Sequence, residues 1–464
     1  MRVLSPLILV FGAGVAVAQP APKPAAPPAA ASPAAAPSAP LPEAKRWTLP
    51  NGLEVLFVED HKAPVVTVQV FYHAGGKDEP ADKRGIAHMF EHMMFKGSQH
   101  VRPEQHARFI DSVGGTENAF TADDVTGYHD TIPPAALDFT LKLEAERMRN
   151  LVLIQKTIDS EREVVKEELR VRLENSPVMQ AVDKVMHLAY TVHPYRQFPI
   201  GEKRMLDTVT VEDCKKFYGA FYQPNNALLI VVGDTDEATV RKLAEQHFGP
   251  IPKAPAAPRP AAAKQEPPQK ELREATLEIP VQLPVMVGAY HIPDGASEDL
   301  YALEVLQQIL SGGESSRLYQ RLVRKDKSAV FAGGFVFQHE DPGLFLAFAA
   351  YLPSSDPAKV RAALLEEIDR AATGTVAPRE LQKAKNQLAA RALFRREHVE
   401  QIATQHGIDA FVAHDPMRAL KAPAKYDAVT AADVANVAKK YLTKTNLSLV
   451  TLKPAAPAAA GGAR

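Results

Sequence analysis

Cysteine and tryptophan are almost absent from this chain of 464 residues, which has one of each. With a single thiol, Cys214, no internal disulfide is available to it. The apolar residues around Cys214 favour a small buried side chain over a nucleophile. Charge of either sign is not in excess, because 54 basic and 55 acidic residues leave a formal net charge of −1. Composition therefore gives no electrostatic reason to expect nucleic acid or an anionic membrane as a partner.

Long hydrophobic runs are also scarce, and the clearest one lies at the start of the chain. Met1-Arg2 precedes an apolar run from Val3 to Val17, which ends in Ala16-Val17-Ala18. This pattern predicts a signal peptide over residues 1–18, cleaved after Ala18. A membrane anchor is the weaker alternative, because Pro6 interrupts a run that is too short to span a bilayer comfortably. We expect an exported protein, periplasmic or extracellular, without a membrane anchor in its mature form.

Three Ala/Pro-rich segments divide the rest of the chain. Residues 19–43 and 455–464 have too few apolar side chains to fold, so we expect a disordered tether and a disordered tail. A similar shift in composition over residues 251–270 predicts a linker. The predicted domains are therefore an N-terminal domain over 44–250 and a C-terminal domain over 271–454.

The two domains share an order of elements. Val209-Thr-Val-Glu-Asp213 precedes a predicted helix, then Asn226 and the apolar strand 228–232. The same order returns 220 residues further on, with Val429-Thr-Ala-Ala-Asp433, Asn446 and the strand 448–452. Such a repeat predicts two homologous α/β units in an α+β chain, each a mostly antiparallel sheet packed with helices.

The segment Gly85–Gly97 carries the clearest chemistry. Its interior has neither proline nor glycine and predicts a helix. Residues four apart lie on one helical face, so His88 and His92 could hold one zinc ion while Glu91 takes a proton from water. The alternative is a buried apolar helix whose polar residues are satisfied at its edge, since methionine and phenylalanine fill the remaining positions.

A catalytic zinc site needs a third protein ligand. The Glu/Arg-rich helical segment 160–170 offers Glu161 and Glu168, which lie seven residues and two helical turns apart on one face. One carboxylate could complete the metal site while the other supports a liganding histidine from behind. A solvated helix face is the competing interpretation.

The run Gly85–Gly97 resembles the active-site helix of the pitrilysin, insulin-degrading enzyme and mitochondrial processing peptidase family of zinc metallopeptidases, which carry His-x-x-Glu-His. The resemblance extends through three further motifs, which are Gly114-Gly-Thr-Glu-Asn-Ala-Phe-Thr121, His193-Pro-Tyr195 and Pro199-Ile-Gly201. The family's third ligand follows the second histidine by about 76 residues, which is the position of Glu168 in this chain. The resemblance thus implies Zn²⁺ held by His88, His92 and Glu168, Glu91 as general base and Glu161 as the supporting carboxylate. It also implies that Asn118, Ala119 and Phe120 lie on an edge strand that takes up the peptide substrate.

The C-terminal domain lacks the zinc pentad. Its Ser311-Gly-Gly313 is not a phosphate loop, because no Gly-Lys-Ser/Thr follows. Family resemblance implies that this domain supplies a catalytic arginine and, seven residues on, a tyrosine; here Arg324 is kept and Phe331 replaces the tyrosine. Relatives of this length are half-clamps. We therefore expect a similar-sized partner without the zinc pentad, or a homodimer.

The expected function is an exported zinc-dependent endopeptidase that acts on peptides or unfolded polypeptide segments. The alternative from a different class is a catalytically silent scaffold subunit of a peptidase-like heterodimer.

Overall fold

The computed structural model describes residues 43–258, 265–373 and 376–455. The predicted signal peptide (1–18), the tether (19–43) except its last residue, residues 259–264 of the linker and the tail from residue 456 onward lie outside the described residues. What is described is α+β, as the sequence predicts: two sheets, mostly antiparallel, each covered by helices.

The N-terminal unit, as we call residues 43–258, contains six strands and eight helices. Its strands are β1 (Ala44–Thr48), β2 (Glu54–Glu59), β3 (Val66–Tyr72), β4 (Thr116–Thr121), β5 (Thr126–Ile132) and β6 (Ala227–Gly233). Its helices are α1 (Ile86–Met93), α2 (Gln105–Ser112), α3 (Leu137–Asn150), α4 (Gln155–Leu169), α5 (Pro177–Ala189), α6 (Lys203–Leu206), α7 (Val211–Phe221) and α8 (Glu237–Phe248).

The C-terminal unit, residues 265–455, contains five strands and six helices among its described residues. Its strands are β7 (Arg273–Ile279), β8 (Val285–His291), β9 (Ala329–Phe337), β10 (Leu344–Tyr351) and β11 (Leu447–Pro454). Its helices are α9 (Asp299–Ser311), α10 (Pro357–Ala372), α11 (Pro378–Phe394), α12 (Val399–Val412), α13 (Arg418–Ala428) and α14 (Ala431–Tyr441).

Both sheets have the same topology. The N-terminal sheet has the order β1-β2-β6-β3-β5-β4 and the C-terminal sheet the order β7-β11-β8-β10-β9. In each unit one pair is parallel, β2 with β6 and β7 with β11, and the neighbouring pairs are antiparallel. The strand β1 is an addition to the N-terminal sheet. Strands β4 and β9 occupy equivalent edges, and both edges border the site described below.

The repeated sequence elements make the same hydrogen bonds. Thr210 and Asp213 form a reciprocal cap at the start of α7, and Thr430 and Asp433 do so at the start of α14. The side-chain amide of Asn226 donates to the carbonyls of His73 and Phe221. Asn446 donates to the carbonyls of His291 and Tyr441, the equivalent positions. The repeat thus preserves the contacts that fix each helix to its sheet.

The segment 114–130 is a hairpin of two strands, β4 and β5. Its turn closes with the Ala122 N–H donating to the Val125 carbonyl at 2.8 Å. The helical segment 134–175 is broken between α3 and α4, where the backbone N–H of Leu151 donates to the Tyr218 hydroxyl instead of continuing the helix.

Each unit contributes one helix that packs on the sheet of the other unit, and we call these two the exchanged helices. The apolar face of α5, from the N-terminal unit, packs on β8 and β11 of the C-terminal sheet. Helix α12, from the C-terminal unit, packs on β3 and β6 of the N-terminal sheet, where Ile402 and Ala403 join the core with Phe71. Each sheet therefore needs the other unit to cover one of its faces. Burial of apolar surface then couples the stability of the two units.

Charged groups close the boundary beside the β4–β5 turn. The Lys77 ammonium pairs with Asp124 at 2.8 Å and also with Glu340 of the C-terminal unit. The other Asp124 oxygen accepts from the backbone N–H of Glu340 at 3.0 Å. Burial disfavours the charged form of Asp124, but His339 and Lys77 outweigh it and hold the pKa of this carboxyl far below its usual range. The turn is thus fixed against the C-terminal unit.

None of the helices within residues 43–258, 265–373 and 376–455 combines the length and apolar character that crossing a bilayer requires. Cys214 is fully buried in α7, as predicted, and burial raises the pKa of its thiol to about 12.

We expect Gly407→Ala to weaken the packing of α12 on the N-terminal sheet. A Cβ atom at Gly407 of α12 would lie 2.3 Å from ring atoms of Phe71, a fully buried side chain of β3. Overpacking of this kind should lower the free energy of unfolding by about 1–3 kcal/mol. Chemical denaturation followed by far-UV circular dichroism measures it.

Gly219→Ala in α7 is the matched control, because no atom lies within 4 Å of the added Cβ. Alanine is the better helix former, so this variant should gain up to about 1 kcal/mol. Equal effects of the two substitutions would contradict the exchanged packing.

Candidate metal centre

Helix α1 is held in place by its N-terminal end. Gly85 precedes it with a φ of 97°, a conformation that favours glycine, and an added Cβ there would lie 2.8 Å from Leu206. The Glu79 carboxylate accepts from the backbone N–H groups of Gly85 and Ala87 at 3.0 and 2.8 Å. These bonds satisfy two of the free donors at the helix start. All eight residues of α1 are buried, so its histidines have one fixed environment.

The two histidines of α1 lie together, as their spacing predicts. The ring centroids of His88 and His92 are 5.0 Å apart. Their relative exposures are only 4% and 2%, while Phe90 on the opposite side of the helix packs against Tyr218 and Tyr222. The apolar residues of the pentad therefore fix the helix in the core and leave the imidazoles facing α4.

Helix α4 brings both candidate carboxylates to these rings. Glu168 lies with one oxygen 3.8 Å from Nε2 of His88 and the other 3.4 Å from Nε2 of His92. Glu161, two turns earlier, lies 3.5 Å from the other ring nitrogen of His92. The structure thus brings together residues 76 positions apart in the chain, and it orders the two glutamates: Glu168 faces both histidines and Glu161 one of them.

The donor set fits a zinc ion. One atom from each of His88, His92 and Glu168 lies within 4.8 Å of the others. Tetrahedral donors at zinc–ligand distances of about 2.1 Å are separated by about 3.4 Å, close to the separations found here. Nε2 of His92 is buried without a hydrogen-bond partner among the described residues. Buried polar atoms of this kind are expected to have a partner, and a cation would supply it.

The charges at this cluster favour a cation. Burial opposes a charge on His92, but the carboxylates of Glu161 and Glu168 outweigh it and raise the pKa of the ring to about 9. Burial lowers the pKa of His88 to about 3. Burial also opposes ionisation of Glu168, yet the two histidines and Arg172 lower its pKa. Two carboxylates thus hold a proton on His92, and a metal ion would take that proton's place.

Glu91 lies beside these three candidate ligands, and its two carboxylate oxygens differ in their hydrogen bonding. Its side chain is 1% exposed, and the Thr121 hydroxyl donates to one carboxylate oxygen at 2.6 Å. The other oxygen has no hydrogen-bond partner among the described residues. Burial raises the pKa of Glu91 to about 7, against the opposing effect of the Thr121 bond. A carboxylate with such a pKa can both accept and return a proton near neutral pH.

Sequence reasoning missed three residues at this site. Thr121 ends β4, directly after the Asn-Ala-Phe segment that the resemblance singled out. Lys96 lies 3.3 Å from Glu161 and holds its carboxylate from the far side. Arg172, in the π-helical turn Arg170–Glu174 after α4, lies 2.5 Å from Glu168. The last two follow His92 and Glu168 by four residues, a helical spacing that could have indicated them.

A cavity of about 1220 Å³ joins the metal centre to the C-terminal unit. His88, Thr121 and Phe120 line it from the N-terminal unit, and residues of the opposite edge strand β9 line it from the C-terminal unit. Asn118, Ala119 and Phe120 lie on the edge strand β4, which pairs with β5 and with no other strand of the described residues. The Asn118 side-chain oxygen accepts from the Ala119 N–H at 2.9 Å.

Arg324 is not brought to the metal centre. Its side chain is 58% exposed, pairs with Glu314 at 2.7 Å and does not line the cavity. Phe331, on β9, does line the cavity and is 51% exposed. A catalytic role for Arg324 stays a prediction, and within this chain it has no geometric support.

A second group of buried candidate metal ligands is already paired with basic side chains of the protein. His106, Asp130 and Glu144 approach within 4.8 Å of one another. However, the Arg147 guanidinium pairs with Glu144, and the His106 ring lies 3.2 Å from both Asp130 oxygens. Protein cations thus occupy the place that a metal would take.

Comparison with known proteins agrees with this geometry. A family model described as insulinase (peptidase family M16) matches residues 54–198, and one described as peptidase M16 inactive domain matches residues 208–388. A zinc protease, PqqE, of Helicobacter pylori is 32% identical over 416 residues, which are 89% of this chain and 94% of that protein.

Solved structures share the fold. That of a protease from Helicobacter pylori has a TM-score of 0.85 at 31% identity, covering 89% of this chain and all of that one. The first half of the periplasmic protease PqqL from Escherichia coli has a TM-score of 0.72 at 20% identity, covering 89% of this chain and 93% of that one. The second likeness concerns the fold alone.

We expect purified protein to bind about one zinc ion per chain, because one set of three ligands is free to take it. His88→Ala and Glu168→Gln should abolish stoichiometric binding, whereas Glu91→Gln should retain it, since Glu91 is outside the donor set. Elemental analysis after dialysis against a weak chelator measures the content. His100→Ala, at an exposed histidine, is the control.

Glu161→Gln should weaken zinc binding by about 10- to 100-fold without abolishing it, because Glu161 acts through His92. Full zinc retention by Glu168→Gln would contradict the site, as would two zinc ions per chain.

Proposed function

Because this chain belongs to the insulinase family of peptidases, peptidase family M16, we propose that it is a zinc-dependent endopeptidase. It acts on peptides or unfolded polypeptide segments. One observation carries the proposal: His88, His92 and Glu168 converge on one point, and Glu91 presents an unbonded carboxylate oxygen beside them. The relative named a zinc protease in Helicobacter pylori supports the same chemistry.

His88, His92 and Glu168 would hold the metal. Zinc in that position would supply Lewis-acid chemistry, lowering the pKa of water toward about 7 and polarising a peptide carbonyl. Glu161 and Lys96 orient His92 from behind, since the Glu161 carboxylate lies between the ring and the ammonium. A second carboxylate on the ring's far nitrogen fixes its orientation and increases its basicity.

Glu91 is the general base. Its free oxygen takes a proton from the attacking water and then delivers it to the leaving amine. The Thr121 hydroxyl, donating to the other oxygen at 2.6 Å, fixes the carboxylate plane. Burial excludes bulk water and brings the pKa of Glu91 to about 7, so one group performs both transfers.

Strand β4 would take up the substrate. Its free edge borders the cavity, and an extended peptide can add to such an edge through backbone hydrogen bonds. The Ala119 N–H is paired with the Asn118 side chain in this structure, so this side chain would have to turn away before a peptide carbonyl could accept from Ala119. Backbone recognition would make the peptidase tolerant of sequence.

A silent scaffold subunit is the alternative function. The family model described as an inactive domain matches residues 208–388, in the part of the chain without the pentad. All four zinc-site residues lie within 54–198, the range matched by the insulinase model. The division of the matches therefore favours an enzyme whose second unit shapes the cavity.

We also propose that the mature protein is exported, on the strength of residues 1–18, and that a second chain completes the site. Phe331 has no hydroxyl to donate, and Arg324 lies outside the cavity. A partner of similar size without the pentad would supply the missing arginine and tyrosine; a homodimer is the competing assembly.

We expect the complex isolated from its native source to contain two different chains of similar mass. Native mass spectrometry with peptide mapping measures this. One chain species with full activity would contradict the heterodimer.

Glu91→Gln should retain zinc and lower the rate of peptide cleavage by at least about 10³-fold, because the amide cannot accept the water's proton. Cleavage of an unfolded reporter polypeptide, followed by mass spectrometry, measures the rate. Cleavage by this variant at the wild-type rate would show that Glu91 is not the base.

Thr121→Val separates positioning from chemistry within the same assay. It removes the hydroxyl and keeps the shape, so kcat should fall by about tenfold while the zinc content stays unchanged. Thr121→Ser should restore most of the rate.

A further inference from the structure

Four arginines line the cavity from the C-terminal unit, and three of them lie together at the end of α11. The fourth, Arg418 of α13, donates to the side-chain oxygen of Gln338 at 2.8 Å. Arg391 lies near the end of α11, and Arg395 and Arg396 follow directly in the short connection to α12. The same cavity contains His88 of the metal centre. Arg391 and Arg395 are exposed to it, and Arg396 is half-buried. A peptide held at the metal centre would therefore share its enclosure with this cluster of three neighbouring guanidinium groups.

Two of these side chains donate to neutral partners. Arg391 donates to the side-chain oxygen of Gln308 at 3.2 Å, and Arg395 to that of Gln405 at 2.9 Å. The Gln405 amide group itself donates to Asp409 at 2.9 Å, which turns its oxygen toward Arg395. Among residues 43–258, 265–373 and 376–455, no carboxylate forms an ion pair with Arg391, Arg395 or Arg396. Arg172, which lines the cavity from the N-terminal unit, does form such a pair, with Glu168.

The acidic groups on this side of the cavity are engaged elsewhere. Glu304 accepts from Gln338 and, at 2.6 Å, from the Tyr426 hydroxyl. Asp409 is 3% exposed and accepts from the backbone of Ala419 in addition to Gln405. Burial raises the pKa of Asp409 to about 7, so its negative charge is reduced at neutral pH. The positive charge of the three arginines is therefore not balanced from within this wall.

The position of these arginines at the C-terminal end of α11 explains part of their clustering. The C-terminal end of a helix favours cations, which accounts for a basic residue near Phe394. It does not require that all three guanidinium groups face the cavity without a carboxylate. Guanidinium groups with free donors bind carboxylates through short, charge-assisted and often paired hydrogen bonds.

We propose that Arg391, Arg395 and Arg396, which we call the arginine wall, bind carboxylate groups of the peptide substrate while its backbone lies at the metal centre. The proposal rests on the proposed peptidase function and names its substrate class: peptides with acidic residues or a free C-terminal carboxylate on one side of the cleaved bond. The wall makes no contact with the reacting atoms, so it selects substrates and does not take part in the chemistry.

Four matched peptides test the proposal and separate the two carboxylate sources. They share one sequence, in which a short tract is either Glu or Gln and the C-terminus is either free or amidated. The variant is Arg391→Gln/Arg395→Gln/Arg396→Gln. Its control, Arg379→Gln/Lys439→Gln/Lys444→Gln, removes the same charge at exposed positions that do not line the cavity. Thermal unfolding of both checks their fold.

For the wild type, we expect kcat/KM for a carboxylate-bearing peptide to exceed that for its neutral match by about tenfold at low salt, as three modest ion pairs would give. The arginine-wall variant should lose this preference through KM, with kcat almost unchanged, and the control should keep it. The preference should also shrink as salt rises. A preference for Glu over Gln assigns acidic side chains, and one for the free over the amidated terminus assigns the C-terminus.

Binding to zinc-loaded Glu91→Gln protein, measured by fluorescence anisotropy, keeps this test apart from that of catalysis. If the wild type cleaves all four peptides equally, the proposed role of the arginine wall is wrong, and the proposed peptidase function is unaffected. If no peptide is cleaved, but acidic peptides bind to the protein and do not bind to the arginine-wall variant, the proposed peptidase function is wrong. The proposed carboxylate binding by the arginine wall is then supported. Equal loss in variant and control would also overturn the proposal.

Discussion

The site depends on one electrostatic arrangement: two imidazoles and two carboxylates enclosed between α1 and α4. Carboxylates in a buried place are costly unless a cation neutralises them. Here the cation is a proton shared with His92 or a metal in its place, and Arg172 and Lys96 complete the balance at the edge. Burial makes the charges of this cluster costly. It also raises the pKa of Glu91 to about 7, so this carboxyl group can exchange protons near neutral pH.

The exchange of helices turns this local cluster into part of a chamber. Because α5 covers the C-terminal sheet and α12 covers the N-terminal sheet, neither unit buries its apolar surface alone. The ion pairs around Asp124 then hold the β4–β5 turn against the C-terminal unit. Strand β4, which carries Thr121 at its end, is positioned by that turn. The distance between the Glu91 carboxylate and the free edge of β4 is thus a property of both units.

The C-terminal unit is a copy whose chemistry has diverged while its framework has been kept. Its capping residues and its asparagine repeat those of the N-terminal unit bond for bond. In the place of α1 it has α9, an apolar helix that carries no metal ligands. This unit lines the cavity with Phe331, an exposed residue on β9, and with the three arginines at the end of α11.

Local sequence determined much of this protein. The spacing of His88 and His92 and the repeat of Thr-x-x-Asp caps depend on contacts within a few residues, so local sequence patterns alone could indicate them. The family resemblance added Glu168. Tertiary structure alone decided that Thr121 fixes Glu91, that Arg324 lies outside the cavity, and that the arginines at the end of α11 share an enclosure with the metal centre. These facts join residues from 30 to about 300 positions apart, and such contacts follow from how the two sheets and their exchanged helices pack, which no local pattern specifies.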